Sequence, residues 1–261
     1  MSCQDADGAL LQHPPHPKSP YVHGASALLL AEVYGMTSDG RASRIRHSIE
    51  KAITYTRHMQ IKVLADGPDI GGWRYYGISG PMKSDLSSTS WQLMFLRSAK
   101  AAGFRVENEW IEEAIDYIGR CYIEERDSFG YGSHSGDRFR MTHGLAGSGI
   151  LAFAMAGKHE TRAAKQAGRW LLDRPMFKVG QAVDRFYYAC FYCSQAMFQL
   201  GGDYWNAFYP PLVQRLLSMQ QSQGQWDKDS PLGQEYGETL VTAFAILALT
   251  TPNQVLPVLQ R

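Results

Sequence analysis

Gly71-Gly72-Trp73-Arg74-Tyr75-Tyr76 is followed by a polar loop and then by a small-residue-rich apolar stretch, and the same order returns after Phe129-Gly130-Tyr131-Gly132 and after Gly224-Gln225-Trp226-Asp227. The interval is roughly 45 to 65 residues, the range of helical-hairpin arrays. Working outward, five apolar helices are expected, at about 22–35, 86–102, 141–156, 185–199 and 237–249. Each is hydrophobic on most faces and therefore buried on several sides, whereas the segments at about 42–60, 108–123, 159–173 and 205–220 are amphipathic. Inner and outer helices alternate. Gly35, Gly103, Gly157 and Gly201 follow inner helices, where a left-handed residue ends a helix and turns the chain. The pattern predicts an all-α protein, an α/α toroid of about five to six hairpins, over residues 21–261. Residues 1–20, with Pro14, Pro15, Pro17 and Pro20, read as an extended polar arm.

A 261-residue chain with 44% hydrophobic residues holds a sizeable core, and a formal net charge of +1 argues against a general polyanion binder, so nucleic acid is not an expected partner. No run reaches the ~18 apolar residues of a membrane span, and no signal sequence opens the chain. Four cysteines give no disulfide framework, which fits a reducing, cytoplasmic setting. Export of a longer precursor stays open.

Gln220-Gln221-Ser222-Gln223-Gly224-Gln225-Trp226 resembles the glutamine-tryptophan repeat of squalene-hopene cyclases. Arg185-Phe186-Tyr187-Tyr188-Ala189-Cys190-Phe191-Tyr192-Cys193 resembles the segment of protein prenyltransferase β subunits that carries a zinc histidine, with Tyr188 in that place. Asp85-Leu86-Ser87-Ser88-Thr89 falls where class II terpene cyclases carry an acidic motif, with serines replacing its other carboxylates. The chain as a whole is similar to bacterial prenyltransferase and squalene oxidase repeat proteins. His143-Gly144-Leu145-Ala146-Gly147 is also similar to a helix start of lanthionine synthetase cyclases, although the Cys-His pair of those zinc enzymes is absent. The resemblance implies a toroid that binds an apolar, isoprenoid-like ligand in an aromatic central cavity, without the standard cyclase acid or the prenyltransferase zinc. It implies a structural role for Trp226. Two further readings stay open: a terpene cyclase-like enzyme with a non-standard acid, and a protein-interaction scaffold. Dimerisation of a short ring is a further expectation.

Loops before inner helices face the mouth of such a ring, which selects the candidates. Asp85, His143 and Glu235 are the candidate proton carriers, with helix capping the alternative for Asp85 and Glu235. His23 and His143 open inner helices whose free N–H groups can bind an anion or carbonyl oxygen. Trp73, Tyr75, Tyr76, Trp91, Tyr187, Tyr188 and Tyr236 offer aromatic faces for an isoprenoid chain, or pack the core. Thr89 is the expected partner of Asp85, and Arg138 and Arg140 suit a phosphate or diphosphate. No cofactor or metal is expected; Cys190 and Cys193 share a helical face with His143 as a conceivable third ligand, and buried free thiols are the alternative.

Overall fold

The computed structural model describes residues 4–11, 19–36, 39–61, 67–74, 84–133, 138–177, 183–226 and 231–260. It is mostly helical. The helices are α1 Ser19–Tyr34, α2 Arg41–Met59, α3 Leu86–Ala101, α4 Asn108–Arg120, α5 His143–Met155, α6 Arg162–Asp173, α7 Phe186–Leu200, α8 Gly202–Met219, α9 Pro231–Tyr236 and α10 Glu238–Leu249. One short antiparallel hairpin, β1 Tyr122–Ile123 with β2 Ser128–Phe129, pairs Tyr122 with Phe129. No described helix is long and apolar enough to cross a membrane.

The chain divides into two compact units. The first comprises residues 1–121, 131–138 and 256–258, the second residues 122–130, 139–255 and 259–261. The sequence reading sets residues 1–20 apart as an arm; in the structure, Ala9, Leu10 and Leu11 are buried in the first unit.

In the first unit α1 and α3 pack side by side, with α2 and α4 against them. Helix α3 is buried on nearly every face, from Leu86 through Leu96, as an inner helix must be, while α4 buries only Ile111, Ala114, Ile115, Tyr117 and Ile118. In the second unit α7 lies between α5 and α10. The α5–α7 seam is close because a Cβ on Gly147 would stand 2.8 Å from the Cys193 nitrogen, and one on Gly144 2.7 Å from the Tyr188 ring. Side-chain caps start several helices: Asp85 accepts from the Ser88 N–H, Thr142 from Leu145 and Thr161 from Ala164. Gly103, Gly157 and Gly201 take positive φ as expected after their helices; Gly35 does not.

A repeated loop ties these hairpins together, and among the described residues it occurs three times. After α2, the Gln60 amide donates to the Gly71 carbonyl (2.9 Å), Ile61 N–H to Gly72 and Gly71 N–H to Ile61. The Trp73 indole N–H reaches back to the Thr56 carbonyl (2.8 Å), and its backbone N–H bonds Thr89 Oγ1 on α3 (3.1 Å). After α8 each bond has its counterpart: Gln220 to Gly224, Gln221 N–H to Gln225, Gly224 N–H to Gln221, the Trp226 indole to Leu216, and Trp226 N–H to Thr242 Oγ1. At the start of the chain Gln4 bonds Gly8, Asp5 N–H bonds Ala9, and Leu10 N–H bonds His23 Nδ1 on α1.

In the first two places the same glutamine also holds the following outer helix. Gln4 donates to the Ser48 carbonyl on α2 (2.9 Å) and Gln60 to the Trp110 carbonyl on α4 (3.0 Å). Arg57 strengthens the second clasp, bonding Gln60 Oε1 and Glu113 Oε2 with its guanidinium 5.3 Å over the Trp110 ring. At the third place Gln220 is exposed, and among the described residues nothing approaches the Gly224 Cβ position except its own Gln220 side chain.

Candidate functional site at the start of helix α3

Trp73, Asp85, Thr89, Trp91 and His23 all belong to the first unit and gather about the beginnings of α1 and α3. Trp73 and Trp226 occupy equivalent places in the repeated loop. Thr89 serves that loop too, donating to the Asp85 backbone carbonyl (2.7 Å) while accepting from Trp73. His23 is buried in the core: its Nδ1 accepts from Leu10, which leaves Nε2–H to donate to Thr56 Oγ1 (2.8 Å). Burial holds this imidazole neutral, at a pKa of about 4, with Asp7 opposing weakly.

Asp85 is the most unusual group. It is fully buried, and its Oδ1 accepts from both the Ser88 N–H (2.8 Å) and Ser87 Oγ–H (2.6 Å). The Tyr21 hydroxyl in turn donates to Ser87 Oγ (2.6 Å), giving a Tyr21–Ser87–Asp85 chain. Burial pushes the carboxyl above the usual carboxylate range, against the pull of those hydrogen bonds and of Arg74. Oδ1 accepts twice, and the Ser88 hydroxyl also bonds to this carboxyl. Gln92 Oε1 is buried without a hydrogen-bond partner among the described residues. Residues 85, 88 and 92 follow at i, i+3 and i+7, one stripe of a helix.

Gln92 also lines a narrow cleft with His23, Tyr55, Thr56, Met59, Trp73 and Arg74, all of the first unit. The Gln92 amide donates to the Pro20 carbonyl (2.8 Å), which turns its oxygen away from that bond. On the α4 side the Tyr117 hydroxyl is buried beside Cys121, whose thiol burial pushes up to about 12. The arrangement therefore offers aromatic walls, a buried carboxyl held above its ordinary range and one unengaged amide oxygen, that of Gln92.

Because the folded-state pKa of Asp85 is raised, the folded protein holds its proton more tightly than the unfolded chain. Its contribution is complete below the unfolded carboxylate pKa and is lost as pH rises through the folded value. Asp85→Asn keeps the cap acceptor without the charge. It is expected to be more stable than the wild type at pH 7 and no more stable near pH 3, a difference read by urea unfolding at the two pH values.

The remaining candidates lie elsewhere. His143 Nε2 bonds the Arg174 carbonyl (2.7 Å) beside Trp170, and burial lowers its pKa. Its backbone carbonyl, not its ring, takes the Cys193 thiol (3.2 Å), so the Cys190, Cys193 and His143 donor groups do not converge; no cluster of three metal-binding side chains is found among the described residues. Glu235 pairs with Arg185 at 3.2 Å, both half-exposed, and Arg140 stands 3.9 Å from Asp184. Arg138 belongs to the first unit and Arg140 to the second. Tyr187 is buried, Tyr188 packs on Tyr192 and Phe244, and Tyr236 is exposed. Tyr75 and Tyr76 lie outside the described residues. Ser88 and Gln92 were missed by sequence reasoning; the signal available was their spacing from Asp85 on an otherwise apolar helix.

The class so defined is a mostly helical protein of inner and outer helices joined by a repeated Gln-Gly-aromatic loop. No protein-family model matches the chain, and no curated protein matches it.

Proposed function

We propose that the chain is an α/α-toroid-type hairpin-repeat protein that binds an apolar, isoprenoid-like molecule by its polar end at the beginning of α3. The observation that carries this reading is Gln92 Oε1, buried without a hydrogen-bond partner among the described residues at the wall of a narrow cleft lined by Tyr55, Met59 and Trp73. A buried polar atom costs free energy when left unpaired, so an acceptor kept at the wall of a cleft suits a ligand that brings a donor. A hydroxyl on the ligand donates to Gln92 Oε1, and Tyr55, Met59 and Trp73 flank the adjoining carbons.

Titration with farnesol, followed by tryptophan fluorescence, tests this. Saturable binding is expected, weakened about five-fold to ten-fold by Gln92→Leu, the value of one neutral hydrogen bond. An absence of binding by farnesol and longer polyprenols, in a protein folded by circular dichroism, rejects the reading and leaves a protein-interaction scaffold ahead.

A second reading, a cyclase-like enzyme with a non-standard acid, has the Tyr21–Ser87–Asp85 chain in its favour. A neutral carboxylic acid fed by hydroxyls can protonate an alkene and be reprotonated. Conversion of a polyprenyl olefin that Asp85→Asn abolishes, with farnesol binding retained, distinguishes catalysis from binding.

A further inference from the structure

Three arginines of helix α2 are neutralised by carboxylates. Arg41 meets Asp39 at 2.8 Å, Arg46 stands 3.6 Å from Glu50, and Arg57 holds Glu113 of α4. Arg44, His47 and Lys51 differ: among the described residues none of them has a carboxylate within ion-pairing distance. Asp39 is held by its bond to Arg41, and Arg44 adds only to the field around it. Residues 44, 47 and 51 follow at i, i+3 and i+7, so two cationic heads and an imidazole share one stripe of the helix.

That stripe borders a groove of about 430 Å³, lined by Gln4, Ser43, Arg44, His47, Ser48 and Lys51, all of the first unit. The first loop of the chain contributes Gln4, and it is fastened to α2 at two points. Gln4 donates to the Ser48 carbonyl (2.9 Å), and Gly8, at φ +99°, lies so close that a Cβ there would stand 2.4 Å from the Lys51 carbonyl. Both contacts use the backbone of α2, which leaves the charged heads of Arg44 and Lys51 unspent. The acids on these elements have other partners, Asp7 accepting from the Ala9 N–H and Glu50 meeting Arg46. A recess lined by charge of one sign focuses its field and concentrates ions of the other.

We infer that this groove binds a phosphorylated small molecule, its phosphate oxygens met by the Arg44 guanidinium and the Lys51 ammonium. A guanidinium takes such oxygens two at a time, and an ammonium meets them as a point charge. The His47 imidazole and the Ser43 hydroxyl supply further donors at the same stripe. Arg44 and Lys51 lie about 10 Å apart along the helix axis, the reach of a ligand with two oxyanion groups rather than one. The lining carries no apolar side chain and shares no residue with the cleft at α3, so this site stands apart from the apolar ligand proposed there.

Calorimetric titration with inorganic pyrophosphate, at an ionic strength fixed with sodium chloride, reads the site. The wild type is expected to bind with a Kd of about 1 mM or tighter. Arg44→Gln and Lys51→Gln are each expected to weaken binding about ten-fold, the loss of one charge-assisted hydrogen bond. Arg46→Gln removes the same charge from the same helix at an exposed position already paired with Glu50, and is expected to bind within about two-fold of the wild type. Circular dichroism of each variant should match the wild type, since these side chains carry no part of the core. Cosedimentation with phosphatidate-containing vesicles distinguishes the source of the phosphate. Vesicle binding that Arg44→Gln and Lys51→Gln remove, without binding of free pyrophosphate, assigns the groove to a lipid headgroup. A wild type that binds neither probe overturns the inference. So do groove variants that bind as the wild type does, or an Arg46→Gln loss as large as theirs, which would mark diffuse attraction to the helix rather than a site.

Discussion

Gly71→Ala is expected to destabilise the protein several times more than Gly224→Ala, although both glycines hold the same place in the repeated loop. Gly71 has φ of +87° and Gly224 +93°, so either substitution forces an L side chain into the left-handed region at a cost of about 1–2 kcal/mol. The difference lies outside the loop. At Gly71 the new Cβ would fall on the Glu113 carbonyl of α4, a backbone atom that cannot swing aside. Separating α4 from the loop would also stretch the bond from Gln60 to Trp110. Overpacking of this kind adds about 1–3 kcal/mol, giving roughly 2–5 kcal/mol in all. At Gly224 only the Gln220 side chain approaches, and it is exposed and mobile in principle, so the conformational cost stands alone. Thermal melts should show Gly71→Ala lowering Tm by about 10 °C or more and Gly224→Ala by about half that or less. Equal losses would mean that the loop does not clasp α4 in the way described.

The second large effect is acid sensitivity centred on His23. Its imidazole is neutral in the folded protein, with a pKa of about 4, and takes up a proton near pH 6.5 when the chain unfolds. The unfolded state therefore binds more protons between these values. Stability contributed by neutral His23 is complete above pH 6.5, declines as pH falls, and is gone below about 4, a change of roughly 3 kcal/mol. Asp85 and Glu32, whose carboxyls are raised by burial, act in the opposite direction as pH falls through their own ranges. Comparison with His23→Gln isolates the histidine, since glutamine can accept from Leu10 and donate to Thr56 without titrating. Between pH 7 and pH 4 the wild type is expected to lose about 3 kcal/mol more than the variant in urea unfolding. Parallel pH profiles would remove His23 as the source.

The contrast between helices buried on nearly every face and helices buried on one was legible because the two leave different hydrophobic patterns. The described helices differ from the expected ranges by a few residues at their ends. The repeated loop was legible only where a tryptophan marks it. Gln220 through Trp226 stands out, whereas Gln60 lies thirteen residues before Trp73 and Gln4 is followed by Leu10, so neither shows the short motif. What unites them is a backbone pattern of glutamine amide and positive-φ glycine, which different residues satisfy equally well.

Candidate chemistry was less legible. A histidine at a helix start can face a ligand or a carbonyl, and only the fold shows that His143 binds Arg174 while His23 locks the first loop to α2. Asp85 was singled out from the sequence, but its raised pKa depends on being enclosed by α3, α4 and the Trp73 loop, a non-local fact. Ser88 and Gln92 look like ordinary tolerated polar residues until their neighbours are counted.

In the three loops the glutamine and the glycine are separated by three, ten and three residues, counting only those between Gln4 and Gly8, Gln60 and Gly71, and Gln220 and Gly224. Their bonds are nevertheless the same. In the second loop the longer stretch carries bonds of its own: Asp69 holds Ser84 ahead of α3, and the Pro68 and Ile70 carbonyls take the Arg120 guanidinium of α4. Added length between the two ends thus fastens a further helix while the bond from glutamine to glycine is kept.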